Sequence, residues 1–111
     1  MSCSIATWNV NSLRARIEPV CDWLAQNPVD VLAIQETKTP DETFPLEPLQ
    51  DLGYHVSFSG QKAYNGVALV SKAPLSNVLT ALPHWPDPEK RFLAATTSDN
   101  TCIVNVYVPN G

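Results

Sequence analysis

Residues 29–35 form a nearly continuous apolar run, interrupted only by Asp30. A strand with one wet face alternates polar and apolar side chains. A run this uniform is a strand covered on both faces, the pattern found inside α/β layers. Residues 4–8 make a shorter β-type run upstream. Between the two, Val20, Trp23 and Leu24 lie at i, i+3 and i+4, on one face of a helix. Proline suits a first helical turn and would damage an interior. The spacing therefore predicts a helix starting near Pro19 and closed by Asn27 and Pro28. Strand, helix, strand in this order is a βαβ unit with a parallel pair, right-handed by strong preference.

Ten prolines break the chain into short elements. Residues 41–52 hold a short helix ended by Gly53, and strands are predicted at 54–59, 66–71, 76–80, 92–97 and 102–108. These later strands are closely spaced, so they pair antiparallel. The expected fold class is α/β, a mixed sheet with helices on one face. The strands carry apolar residues on both sides, however: Ala6 and Trp8 against Ile5, Val104 and Val106 against Ile103. Helices cover one face only. The other face needs its own cover, and a second sheet is the natural one.

A chain of 111 residues is one domain at most, and 44% apolar residues suffice for a core. The net charge of -4 has the wrong sign for binding nucleic acid by bulk charge. A phosphate-cleaving enzyme can still be acidic, because a divalent metal supplies local positive charge. Cys3, Cys21 and Cys102 are odd in number and lack zinc-like spacing, so they read as reduced thiols of an intracellular, cytoplasmic protein. No signal peptide or membrane-spanning run is visible, and no membrane partner is expected.

Glu36 falls at the C-terminal end of the doubly covered strand, where open α/β sheets place their ligand sites. A carboxylate there is a good magnesium ligand; its bland alternative is a solvated glutamate at a strand end. Asn9 ends the first strand, beside Glu36 if the two strands pair in parallel. Its amide can orient a carboxylate, a metal-bound water or a phosphate oxygen, or simply serve as a turn or cap, as can Asn11 and Ser12. Tyr107 ends the last strand, where a phenol can hydrogen-bond a phosphate, act as an acid, or merely pack across strands. Lys38, Lys62, Lys72 and Arg91 are phosphate contacts or solvated surface. Residues 61–66, with Gln61, Lys62, Tyr64 and Asn65, mix amides, a cation and an aromatic in one loop, as nucleic-acid grooves do. His55 and His84 have no partner at metal spacing and receive no role.

Together, residues 6–16, 30–38, 60–69 and 105–111 make the chain similar to the exonuclease III family of apurinic/apyrimidinic endonucleases, within the wider endonuclease/exonuclease/phosphatase superfamily. The resemblance implies a four-layer α/β sandwich of two facing sheets. Residues 1–111 would be its N-terminal half, with the second sheet missing from this chain and supplied by an absent C-terminal half. It implies that Glu36 binds a catalytic Mg²⁺ or Mn²⁺ with Asn9 beside it, and that Tyr107 and Asn9 act at the scissile phosphate. Lys38, Gln61, Lys62, Asn65 and Asn110 would line the substrate. Asn11 falls where some relatives carry an aspartate near the metal. The implied substrate is double-stranded DNA with abasic sites or 3′ ends, cut by a metal-activated water.

The family's Gly-Asp-x-Asn and Ser-Asp-His segments, which supply further aspartates and a histidine, do not occur in these 111 residues. Loss of a catalytic base commonly costs about 10²–10⁴ in rate, so the isolated chain is expected to be inactive. Two other function classes stand beside the repair nuclease: a phosphatase or phosphodiesterase of the same superfamily acting on a lipid or an RNA, and a non-catalytic half-domain.

Overall fold

The computed structural model describes residues 3–60, 65–80 and 90–107. The βαβ unit is present. Strand β1 (Ile5–Asn9) pairs in parallel with β2 (Val31–Gln35), in a register that puts Asn9 opposite Gln35. Helix α1 (Leu13–Gln26) connects them. A second helix, α2 (Leu46–Asp51), follows a short 3-10 turn at Asp41–Thr43 and stops at Gly53, whose φ of 90° only glycine adopts cheaply. Strands β3 (His55–Ser59) and β4 (Val67–Ser71) complete a four-stranded mixed sheet in the order β1-β2-β4-β3, with β4 antiparallel to both neighbours.

The helix α1 begins earlier than expected. It starts at Leu13, capped by the Ser12 hydroxyl, which accepts from the Ala15 amide, and Pro19 lies inside it. Pro19 withholds an N–H from the Ala15 carbonyl, at a typical cost of ~3 kcal/mol in a helix interior. Both residues sit on the exposed side, where water can serve that carbonyl. Burial of Leu13, Val20 and Leu24 on the opposite side offsets the loss.

The expected single sheet with its partner outside the chain is corrected. Strands β5 (Ser76–Leu79), β6 (Phe92–Thr96) and β7 (Cys102–Val106) form a second, antiparallel sheet within these residues. Consecutive strands usually pair, but residues 72–75, with Pro74 among them, carry the chain from one sheet to the other. Local alternation does not reveal such a crossing. Among the described residues the layers are therefore helices, mixed sheet and second sheet. Leu32, Ile34, Ala68 and Val70 face the helices, packing with Leu24 and Leu49. Val31, Ala33, Val67 and Leu69 face the second sheet, packing with Leu93, Ala95 and Ile103. The apolar run of β2 is thus covered on both faces, as its composition demanded. The outer face of the second sheet leaves Val104 and Val106 exposed. The three cysteines are free thiols. No helix among the described residues is long and apolar enough to cross a membrane.

Candidate metal and phosphate site

The parallel pair β1 and β2 ends in two loops that are sewn together through their backbones. The Val10 amide donates to the Gln35 carbonyl (3.1 Å), Ser12 to Glu36 (2.8 Å) and Leu13 to Thr37 (2.9 Å). The second loop is tied in turn to the turn before β4: Thr37 donates to the Gly66 carbonyl and Lys38 to that of Asn65. Gly66 donates to Lys90, ahead of β6, and Tyr107 at the end of β7 donates to Arg91. Five chain segments from both sheets therefore meet at one end of the sandwich.

Backbone strain is concentrated there. Asn11, Ser12, Glu36, Lys38, Asn65 and Lys90 all have left-handed φ angles, between 48° and 90°. Non-glycine residues in that region cost of order 1–3 kcal/mol each and persist where surrounding structure holds them, often at functional sites. The hydrogen bonds between the loops are what hold them here.

Glu36, half-buried, emerges just past β2. Its Oε1 accepts a hydrogen bond from the Tyr107 hydroxyl at 2.9 Å, so a side chain of the first sheet meets one of the second. That bond, with burial and the Glu36 charge behind it, holds the Tyr107 phenol above its ordinary pKa; Arg91 pulls weakly the other way. The phenol is thus a neutral donor at physiological pH. Asn9 ends β1 opposite Gln35, the residue before Glu36, and its Oδ1 accepts from the Asn11 amide at 3.2 Å. The Lys38 ammonium donates to Asn11 Oδ1, which occupies the Asn11 side chain with a cation.

Asn9, Glu36, Lys38, Asn65 and Tyr107 are therefore brought to one end of the molecule. Gln61, Lys62 and Asn110 lie outside the described residues, as do Tyr64 and His84. Lys72 is at the wrong end. It follows β4, its amide donates to the Asp30 carbonyl, and it lines a cavity with Cys3 and Asp99 at the far edge of the sheets.

Two residues given no role from sequence stand directly beneath the site. Asn105, buried between the sheets, and Gln35 form an amide pair with Oδ1 accepting from Nε2 at 2.8 Å. The available signal was an asparagine at an inward position of a strand, two residues before Tyr107 and on the same face as Ile103.

Among the described residues no group of three or more His, Cys, Asp or Glu could cage a metal. Glu36 offers a hard carboxylate, with Oε2 free of the tyrosine bond, and Asn9 a neighbouring amide oxygen. That donor set fits Mg²⁺ or Mn²⁺, which are held by one or two carboxylates and complete their shell with waters and phosphate oxygens.

Residues 6–107 match the endonuclease/exonuclease/phosphatase family. The chain is 36% identical over 109 residues to exodeoxyribonuclease III of Haemophilus influenzae, covering 95% of this chain and 41% of that protein. It superposes on an AP endonuclease from Archaeoglobus fulgidus with a TM-score of 0.91 and 41% identity, covering 97% of this chain and 42% of the other. It superposes on a Neisseria 3′ phosphatase bound to a product DNA hairpin with a TM-score of 0.90 and 47% identity, covering 96% and 41%. The chain thus spans about two-fifths of the length of the relatives it matches. It belongs to the endonuclease/exonuclease/phosphatase family.

Proposed function

We propose that residues 1–111 are part of one catalytic domain of an exonuclease III-type DNA-repair phosphodiesterase. It would hydrolyse the DNA backbone 5′ to abasic sites and trim 3′ ends in a reducing, cytoplasmic setting. The observation that carries this reading is the Glu36–Tyr107 pair, which sets a carboxylate and a neutral phenol side by side where both sheets end. The names of the relatives, an exodeoxyribonuclease, an AP endonuclease and a 3′ phosphatase with DNA, support a DNA phosphoester as substrate.

A Mg²⁺ or Mn²⁺ ion held by Glu36, with Asn9 beside it, would neutralise phosphate charge and acidify a bound water. The chain's own groups then have separate tasks. Glu36 contributes the fixed negative charge. Tyr107, hydrogen-bonded to it at rest, can turn its O–H toward a phosphate oxygen and donate there. Lys38, held by Asn11, adds a cation at the rim, with Gln61, Lys62, Asn65 and Asn110 assigned to the DNA backbone. The described residues beside Glu36 and Tyr107 supply no histidine to take a proton from water and no carboxylate cluster, so these 111 residues alone would turn over poorly.

The test joins this chain to the part of the Haemophilus relative that it does not cover. The readout is cleavage of a duplex with one synthetic abasic site, in Mg²⁺ and in EDTA, against a phosphorylated lipid. Metal-dependent cutting of the duplex that disappears in Glu36→Ala, with no cutting by the unjoined chain, supports the reading. Lipid turnover in preference to DNA, or cutting indifferent to Glu36→Ala, overturns it.

A further inference from the structure

The two sheets are held together beneath the site by a polar clamp as well as by apolar packing. Asn105, on β7, is 2% exposed. Its Nδ2 donates to the Ile34 carbonyl at 2.9 Å and to the Ala68 carbonyl at 2.8 Å. Ile34 and Ala68 are register partners in β2 and β4. One amide from the second sheet therefore grips both central strands of the first. Its Oδ1 accepts from Gln35 Nε2 at 2.8 Å, and Gln35 Nε2 is also within 2.8 Å of Thr7 Oγ1 on β1. The network thus spans β1, β2, β4 and β7.

Its position along the strands matters. Asn105 is two residues before Tyr107, and Ile34 two residues before Glu36. At ~3.3–3.4 Å per residue, the clamp sits ~7 Å below the Tyr107–Glu36 hydrogen bond on both strands. Apolar contacts such as Leu93 and Ile103 against Val31 and Leu69 hold sheets together but tolerate sliding. Hydrogen bonds fix distance and direction to within a few tenths of an ångström. A buried amide is costly unless fully paired, and an aliphatic residue would give the same adhesion without that risk. What the amide adds is register.

We propose that Asn105, backed by Gln35, is a positioning residue: it sets the register between the two sheets so that the Tyr107 hydroxyl reaches Glu36. The inference rests on the reading of Glu36 and Tyr107 as the phosphate-handling pair, but its test needs no turnover. The 111-residue chain is labelled with ¹³C at the tyrosine ring carbon bearing oxygen. Tyr107→Phe identifies the Tyr107 signal, and its chemical shift at pH 7 reports the hydrogen bond to Glu36, with Glu36→Ala marking the position of the broken bond. Asn105→Leu and Gln35→Met keep the outline of the side chain, add no charge and remove donors. In both variants, with the fold verified by circular dichroism, the Tyr107 signal is expected to move toward its position in Glu36→Ala, further for Asn105→Leu. A native Tyr107 signal in either folded variant overturns the proposal. Should Asn105→Leu fail to fold, Gln35→Met, on the half-buried partner, decides alone. Failure of the joined protein to cleave DNA leaves this result standing, and a native Tyr107 signal in the variants leaves the cleavage reading standing.

Discussion

The Tyr107 hydroxyl lies 2.9 Å from Glu36 Oε1, and that hydrogen bond ties the end of β7 to the end of β2. The phenol can make it only while protonated. Phenolate beside carboxylate would be repelled, and for this reason the bond raises the phenol's pKa. A group whose pKa is raised by folding stabilises the native state below its unfolded pKa, about 10 for tyrosine, and loses that contribution as pH rises through the higher folded value. The urea midpoint of the native chain should therefore fall more steeply than that of Tyr107→Phe or Glu36→Gln as pH rises above about 10. Parallel midpoint curves for the three proteins would show that the bond contributes nothing to the pH dependence.

At the opposite end of β1, Asp30 and Ser4 grip each other. The Ser4 amide and hydroxyl donate to Asp30 Oδ2 at 2.8 and 3.1 Å, and the Asp30 amide donates to Ser4 Oγ at 3.0 Å. The bond from the Ser4 amide, then that from its hydroxyl, holds the carboxyl below the ordinary aspartate range. The sign is opposite to that of Tyr107. The stabilisation is complete above the unfolded pKa of about 3.9 and is lost as pH falls through the lower folded value. Asp30→Asn should reduce stability at pH 7, and the gap to the native chain should close as pH is lowered progressively below about 4. A gap that persists undiminished in acid would mean the carboxylate charge is irrelevant to the clamp.

Asp30 also shows why much of this fold could be read from the chain. It is the one break in the run at 29–35, and it sits where β2 begins, leaving Val31 to Ile34 buried on both faces. Burial on both sides leaves an unmistakable composition. The position of Glu36 at the strand's C-terminal end then followed from topology alone. What could not be read was long-range. Whether β5 pairs with β4 or leaves for another sheet depends on how residues 72–75 turn, and nothing in their identity decides it. Pro19 misled because an exposed proline can be carried inside a helix whose other face is deeply buried. Asn105 was passed over because its three partners come from other strands and are 37 or more residues away in sequence.

Gly66 is the tightest point of the loop cluster. Its φ is 90°, and a Cβ there would come within 2.1 Å of Thr37 Oγ1, the side chain next to Glu36. Thr37 is fully buried, and its hydroxyl has no hydrogen-bond partner among the described residues. Gly66→Ala should destabilise by at least the ~1–3 kcal/mol of a strained left-handed residue, with the clash added. Thr37→Ala removes the obstructing oxygen. The double variant should therefore be less unstable than the sum of the single ones, with a coupling of about 0.5–3 kcal/mol in denaturant midpoints. Simple additivity would place the problem in the backbone angle alone.

The two faces of β7 make opposite predictions within one strand. Ile103 points between the sheets and is 6% exposed, whereas Val104 and Val106 are 56% and 47% exposed on the outer face. Register aligns Val104 with Ala94 and Ala94 with Leu79, and Val106 with Phe92; Ala94 itself is covered, so the open apolar surface of this face is that of Leu79, Val104 and Val106. Open apolar surface favours association, and a flat sheet offers no steric obstacle to it. Val104→Thr with Val106→Thr keeps β-branched side chains on the strand. Stability should change little, within about 0.5 kcal/mol per site, while light scattering at rising concentration should show less self-association than the native chain. Ile103→Thr, one residue away, puts a hydroxyl among Leu69, Leu93 and Ala95 and should cost about 1–3 kcal/mol. If the native chain scatters as a monomer at all concentrations, the exposed surface is tolerated and the first half of the prediction fails. Equal destabilisation by the inward and outward threonines would instead contradict the alternation that places this strand between a buried core and an open face.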